Sequence, residues 1–234
     1  MLSATYLKLG GRLISLIRRS STIGKPSGFA KVIGPNIQKT MIEIIIKAHT
    51  KLVNTNQVQQ GWEEDRITSA LFIEINRLWR LITYRSTLYD FVPQPQYPLF
   101  PKQSKVGKAP TIDFVFVNGY INHLYFAFEC KLVDYGNSRL ITEYIKNGMY
   151  RFISGYYSNN TLEGGMLGYT FSKNIPKTVV RINLKISERS SLNKSDCLKR
   201  ENTLSGGNYL YKSKHTRISD GQLFTIRHLF LAFP

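Results

Sequence analysis

Carboxylates are scarce in this chain. Its 234 residues carry 15 Asp and Glu against 32 Lys and Arg, a formal charge of +17 with a pI near 9.9. No acidic residue precedes Glu43, while Lys8, Arg12, Arg18, Arg19, Lys25, Lys31 and Lys39 all fall in that stretch. Such an imbalance points to a polyanionic partner, with nucleic acid ahead of a membrane surface. Cysteine is equally sparse. Cys130 and Cys197 are the only two, and Cys130 falls in a strand-like run, so a disulfide framework is not expected. No Cys/His cluster has zinc-ligand spacing, and the scattered His49, His123, His215 and His228 support no Ser-His-Asp arrangement. Gly10-Gly11 and Gly164-Gly165 lack the Lys-Ser/Thr ending of a phosphate-binding loop. No apolar run is long enough to span a bilayer, so a cytoplasmic protein without a membrane partner is expected.

What is present is core-forming material. A hydrophobic content of 42% with 12% aromatic residues indicates a packed globular protein, and the length suits one sizeable core. The chain divides into a basic N-terminal helical segment over residues 1–56 and a core over residues 57–234. Leu7, Leu9, Leu13, Leu16 and Ile17 read as an amphipathic helix, followed by a loop over residues 20–28. An acid-free start containing Arg and Ser also resembles an organellar transit peptide. The other readings are a DNA-contacting arm, through Arg18 and Arg19, or a helix that packs on a partner. Helices are expected over residues 38–52 and 57–83. Residues 91–101, with Pro93, Pro95, Pro98 and Pro101, read as a loop or edge segment.

Two strand-like runs carry the most informative residues. Residues 111–117 read TIDFVFV and residues 123–131 read HLYFAFECK, with Asn118-Gly119 between them. Strand alternation projects Glu129 and Lys131 from one face and turns the Cys130 side chain away. The register decides whether Asp113 joins them. A tight turn at Asn118-Gly119 would pair Val117 with Tyr120 and leave Glu129 roughly 17 Å from Asp113 along the strand. A wider loop over residues 119–123 sets Asp113 opposite Glu129. Two carboxylates with a lysine beside them suit a hard cation such as Mg²⁺, with Mn²⁺ as its substitute.

Pro110-x-x-Asp113, a gap of fifteen residues and Glu129-x-Lys131 together resemble the PD-(D/E)XK nuclease superfamily, whose fold is restriction-endonuclease-like. The resemblance implies an α/β sandwich with a central mixed β-sheet flanked by helices. It implies Mg²⁺ held by Asp113, Glu129 and the backbone carbonyl of Cys130, with Lys131 orienting a water or steadying phosphate charge. An upstream helix in the family often adds a Glu. Here Glu64 begins the stripe of Ile67, Leu71, Ile75, Leu78 and Ile82, while Glu63 lies to its side. Acidic residues also favour a helix's first turn through its dipole alone.

A helix over residues 139–157 follows, with Glu143, Lys146, Asn147 and Arg151 as candidates beside the site and Gly148 permitting close packing. Residues 165–171 read as a strand, 176–187 as a helix, 187–208 as a polar loop, and 209–215 and 223–233 as closing strands. Lys212, Lys214, His215 and Arg217, interleaved with Tyr209 and Tyr211, suit phosphate contact and base stacking. A solvated charged face is the alternative. The expected activity is metal-dependent endonucleolytic hydrolysis, of DNA ahead of RNA, in the manner of restriction or anti-phage effectors. A targeting or regulatory partner and a homodimer are compatible with it. A non-catalytic nucleic-acid-binding or assembly module is the rival class.

Overall fold

The computed structural model describes residues 5–9, 12–16, 33–82, 86, 88–99, 111–120, 124–157, 161–189, 192, 196–203 and 209–234. The amphipathic helix expected near the start is not formed. β1 (Thr5–Leu9) and β2 (Arg12–Leu16) pair antiparallel, with Leu9 opposite Arg12 and Thr5 opposite Leu16. The intervening Gly10-Gly11 is a two-residue hairpin signal, and it outweighed a helical reading of the leucines. The loop over residues 20–28, Arg18, Arg19 and Pro110 lie outside the described residues.

Apolar spacing builds α1 (Pro35–Asn54), and Pro35 at its first turn costs no hydrogen bond. α2 (Glu64–Trp79) is shorter than residues 57–83. Asn56 and Gly61 hold φ values of +50° and +91°, which no α-helix accommodates, so the helix starts afresh after Glu63. β3 (Phe91–Pro98), β4 (Thr111–Asn118) and β5 (Tyr125–Leu132) then form an antiparallel meander. Its three prolines confine β3 to the sheet edge. α3 (Ser138–Glu143), a π-helical turn (Tyr144–Met149) and α4 (Tyr150–Ile153) form one helical run. β6 (Glu163–Thr170), α5 (Ile175–Ser187), β7 (Lys199–Thr203), β8 (Tyr209–Thr216) and β9 (Leu223–Ala232) complete the chain. β7 lies where a loop was expected. Its charged KRENT sequence is that of an edge strand, and charge on an edge blocks further pairing.

The seven-stranded sheet runs β3-β4-β5-β6-β9-β8-β7, with β6 parallel to both β5 and β9 and the other pairs antiparallel. It is a mixed sheet with helices on both faces. One face sets Phe114, Phe116, Phe126 and Phe128 against Met41 and Ile45 of α1 and Ile67 and Leu71 of α2. α1, assigned by sequence to a segment apart from the core, therefore shares that core. The other face sets Val115, Ala127, Ile226 and Phe230 against Tyr144, Met149 and Phe152 of the helical run and Ile182 of α5. Burying one such side chain stabilises by about 1.5–3 kcal/mol, so these two layers hold the sandwich together. At Gly165 β6 leaves space for a neighbour: a Cβ there would lie on the Phe128 ring. Gly165→Ala is expected to destabilise by about 1–3 kcal/mol in urea denaturation. An unchanged midpoint would show that the ring has room to move.

Candidate active site

β4 and β5 pair from Phe114↔Phe128 to Val117↔Tyr125, and the Asn118 N–H donates to the Leu124 carbonyl at 2.9 Å. This is the wide loop, and the tight turn is excluded. The Asn118 side chain instead accepts from the Tyr120 N–H at 3.0 Å, an Asx-type turn. One step beyond Phe114↔Phe128 the ladder ends, with Asp113 and Glu129 at opposing positions. Carboxylates take over there. The Cys130 N–H donates to Asp113 Oδ2 at 2.6 Å, and the Leu132 N–H donates to Glu64 Oε2 at 2.9 Å. Two β5 amides that β4 no longer reaches are thus satisfied by side chains, which fixes Asp113 and the first turn of α2 at the splayed end of the hairpin.

Lys131 binds the pieces together. Its Nζ donates to Glu64 Oε1 at 2.6 Å and to the Cys130 carbonyl at 2.7 Å, and lies 3.1 Å from Glu129 Oε1. Arg151 Nη1 donates to the same Glu129 oxygen at 2.9 Å and to Tyr157 Oη at 2.6 Å, while Tyr157 donates to the Thr111 carbonyl at 3.1 Å. Glu129 Oε1 therefore takes both cations. Its Oε2 is buried with no hydrogen-bond partner among the described residues.

Three carboxylates here face two cations. Burial, and next the Asp113 charge, push Glu129 up to about 7 against the pull of Lys131 and Arg151. Burial raises Asp113 as well, with Lys131 opposing. For Lys131 burial acts downward, but Glu129, Glu64 and Asp113 outweigh it, and the ammonium is raised above its ordinary value. Lys131 is therefore a charge and a hydrogen-bond donor at neutral pH, not a base.

Arg151 arrives on the helical run, where Asn137 caps α3 by accepting from the Arg139 and Leu140 N–H groups at 3.1 and 3.2 Å. π-Helical turns often mark functional sites, and this one carries Gly148. A Cβ there would collide with Met166 and come 3.5 Å from Lys131 Cγ. Asn147 donates to Glu143 and Lys146 is exposed, so neither these nor Glu143 joins the cluster. Arg151, the fourth candidate on this run and also one expected to contact nucleic acid, does join the cluster through Glu129. Tyr157 was missed as its support, because nothing in the spacing of aromatics shows which hydroxyl finds a guanidinium.

The basic cluster near the end of the chain does not form a shared surface. Lys214 is exposed and Lys212 pairs with Glu201 at 3.3 Å, but His215 and Arg217 are only 2% and 0% exposed. Strand alternation turns Tyr211, Ser213 and His215 inward. Arg217 donates to the Thr161 carbonyl at 3.0 Å and pairs with Asp220 at 3.0 Å. A Ser-His-Asp arrangement does form, contrary to expectation. His215 bridges Asp196 at 2.5 Å and Ser213 at 2.6 Å, and Ser213 reaches His228 at 2.8 Å, which meets Tyr144 at 2.8 Å. Burial, with His215 adding to it, holds His228 well below the ordinary imidazole range. The Ser213 hydroxyl is buried between two imidazoles, so the arrangement serves as a core network and not as a nucleophile.

Among the described residues, no three His, Cys, Asp or Glu side chains form a metal-ligating group. The donors that fit a hard cation are two carboxylates and one carbonyl: Asp113, Glu129 and Cys130. The unpartnered Glu129 Oε2 and the surplus carboxylate charge are the observations that favour one. Among the described residues no helix is long and apolar enough to cross a membrane. Comparison with family models, with curated proteins and with solved structures gives no match for this chain.

Proposed function

We propose that this protein is a metal-dependent endonuclease of the PD-(D/E)XK kind, hydrolysing phosphodiester bonds of DNA. The observation that carries the reading is the convergence of Glu64, Asp113, Glu129 and Lys131 at the splayed end of β4 and β5. Further support comes from the helix, antiparallel strand pair, helix and parallel strand that surround the site in chain order, as a restriction-endonuclease-like fold requires. Asp113, Glu129 and the Cys130 carbonyl would hold Mg²⁺, with Glu64 beside them. A divalent cation there would polarise a phosphoryl oxygen and lower the pKa of a bound water. Lys131 supplies fixed positive charge where negative charge develops on the phosphate. Arg151, held by Tyr157, keeps Glu129 oriented, and the net charge of +17 favours a polyanion.

The rival reading, a nucleic-acid-binding or assembly module, is favoured by one observation: Lys131 already occupies the Cys130 carbonyl. A Mg²⁺- or Mn²⁺-dependent cleavage assay on plasmid, linear DNA and structured RNA, with Glu129→Gln alongside, separates the two. Metal-dependent cutting that the variant loses is expected. Salt-sensitive binding by both proteins without cutting by either would replace the nuclease with the module.

A further inference from the structure

Beside Asp113 the surface opens into a cavity of about 230 Å³ between α2 and β3, lined by Asp65, Ser69, Phe72, Pro95, Gln96 and Asp113 itself, among others. Its outer wall is built in an unusual way. β3 and β4 pair at Pro95↔Phe114 and at Tyr97↔Ile112, and the step between these pairs, Gln96 opposite Asp113, is missing from the ladder. Gln96 has φ +48°, in the left-handed region that side-chain-bearing residues seldom adopt. An exposed amide is therefore held at the register position of a site carboxylate by a local break in the strand.

The chemistry of the lining selects one part of a nucleotide. Among the described residues two carboxylates and no basic side chain line the cavity, a lining that repels a phosphate. The cations of the site, Lys131 and Arg151, stand with Glu129 and do not line the cavity. What fits is neutral, flat and edged with hydrogen-bonding groups. Phe72, partly buried with its ring centroid 6.1 Å from that of Phe114, offers an aromatic wall for stacking. Gln96 offers one acceptor and two donors, and Asp65 offers an acceptor for an exocyclic amine. The volume suits a single ring system and not a base pair.

We propose that this cavity holds an unpaired nucleobase next to the scissile phosphate, which makes single-stranded or locally unpaired nucleic acid the substrate. A base that is stacked and paired in a duplex cannot enter without being extruded. The position of the cut rests on the nuclease reading above, but the binding of the base does not.

The test is fluorescence anisotropy of the full-length protein in EDTA, so that no cleavage intervenes. The probes are a single-stranded oligonucleotide, the same strand with abasic sites, and the duplex. About tenfold tighter binding of the base-bearing strand over the abasic strand is expected, as for stacking on an aromatic platform. Phe72→Leu, and independently the exposed Gln96→Ala, are expected to shrink that ratio severalfold at unchanged affinity for the abasic strand, the Gln96→Ala change also at unchanged melting temperature. Equal binding of base-bearing and abasic strands, preference for the duplex, or variants that weaken both strands alike would each overturn the proposal. Mg²⁺-dependent cleavage is read separately. A base preference without cleavage would keep this site and remove the nuclease, and cleavage without a base preference would do the reverse.

Discussion

Lys131→Ala is expected to abolish detectable cleavage and to lower the melting temperature as well. The ammonium lies within 3.1 Å of both the Glu64 and the Glu129 carboxylates and donates to the Cys130 carbonyl at 2.7 Å. Its side chain is 12% exposed, so little solvent screens these contacts. Removing one partner of a largely buried charge pair costs about 3–5 kcal/mol, because the charges left behind stay desolvated. Here Glu64, Asp113 and Glu129 would be left facing Arg151 alone. The kinetic loss should be on the order of 10²–10³ or more, the scale for deleting a preorganised electrostatic donor. Lys131→Arg restores the charge but not the site, since a planar guanidinium cannot replace three tetrahedrally directed donors. Single-turnover cleavage below the variant's melting temperature separates the chemical loss from the structural one. Retained cleavage by Lys131→Ala would remove that residue from the mechanism. An unchanged melting temperature would show the cluster to be hydrated.

Glu129→Gln is expected to do the opposite to stability while also ending cleavage. Burial raises the Glu129 carboxyl from its ordinary 4.5 to about 7. A raised acid binds its proton more tightly in the folded than in the unfolded state. Its stabilising effect is complete below pH 4.5 and disappears as pH rises through about 7. Metal-free protein should therefore lose stability across that window, by on the order of 3 kcal/mol if the shift is fully realised. Glu129→Gln removes the excess carboxylate, leaving two carboxylates against two cations, and its profile should be flat there. The variant should melt above the parent at pH 8 and with it at pH 5. Adding Mg²⁺ at pH 8 should stabilise the parent and not the variant. Urea denaturation in EDTA from pH 5 to pH 8, repeated with Mg²⁺, measures all three. A parent curve parallel to that of the variant would show that Glu129 titrates normally.

The β4–β5 hairpin and its Glu-x-Lys ending were legible because period-two alternation and aromatic density survive in a short sequence. The register was legible only as a choice between two turns. The backbone settled it through Asn118, whose side chain folds into its own turn while its N–H makes the last cross-strand bond, to the Leu124 carbonyl. Glu64 was legible from its place at the head of the α2 stripe, but not its capping of the Leu132 amide, which requires knowing where β4 and β5 part. β7 was hidden because an edge strand has no buried face to pattern it. His215 and Arg217 were misread because polar side chains give no sign of whether their partners lie in water or, as with Asp196 and the Thr161 carbonyl, inside. The N-terminal pair was misread because leucines at positions 7, 9, 13 and 16 satisfy either period loosely.

The place of β9 has a consequence for how the molecule is made. It spans Leu223–Ala232, yet it sits inside the sheet, with β6 on one side and β8 on the other. During synthesis the hairpin that bears Asp113, Glu129 and Lys131 leaves the ribosome about a hundred residues before the strand that closes the sheet behind it. Until that last strand docks, β6 presents an open edge and β7 and β8 have nothing to join. Pairing over such sequence separation is slow relative to hairpin formation. The nascent chain thus carries its acidic cluster on an unfinished sheet until β9 has been made.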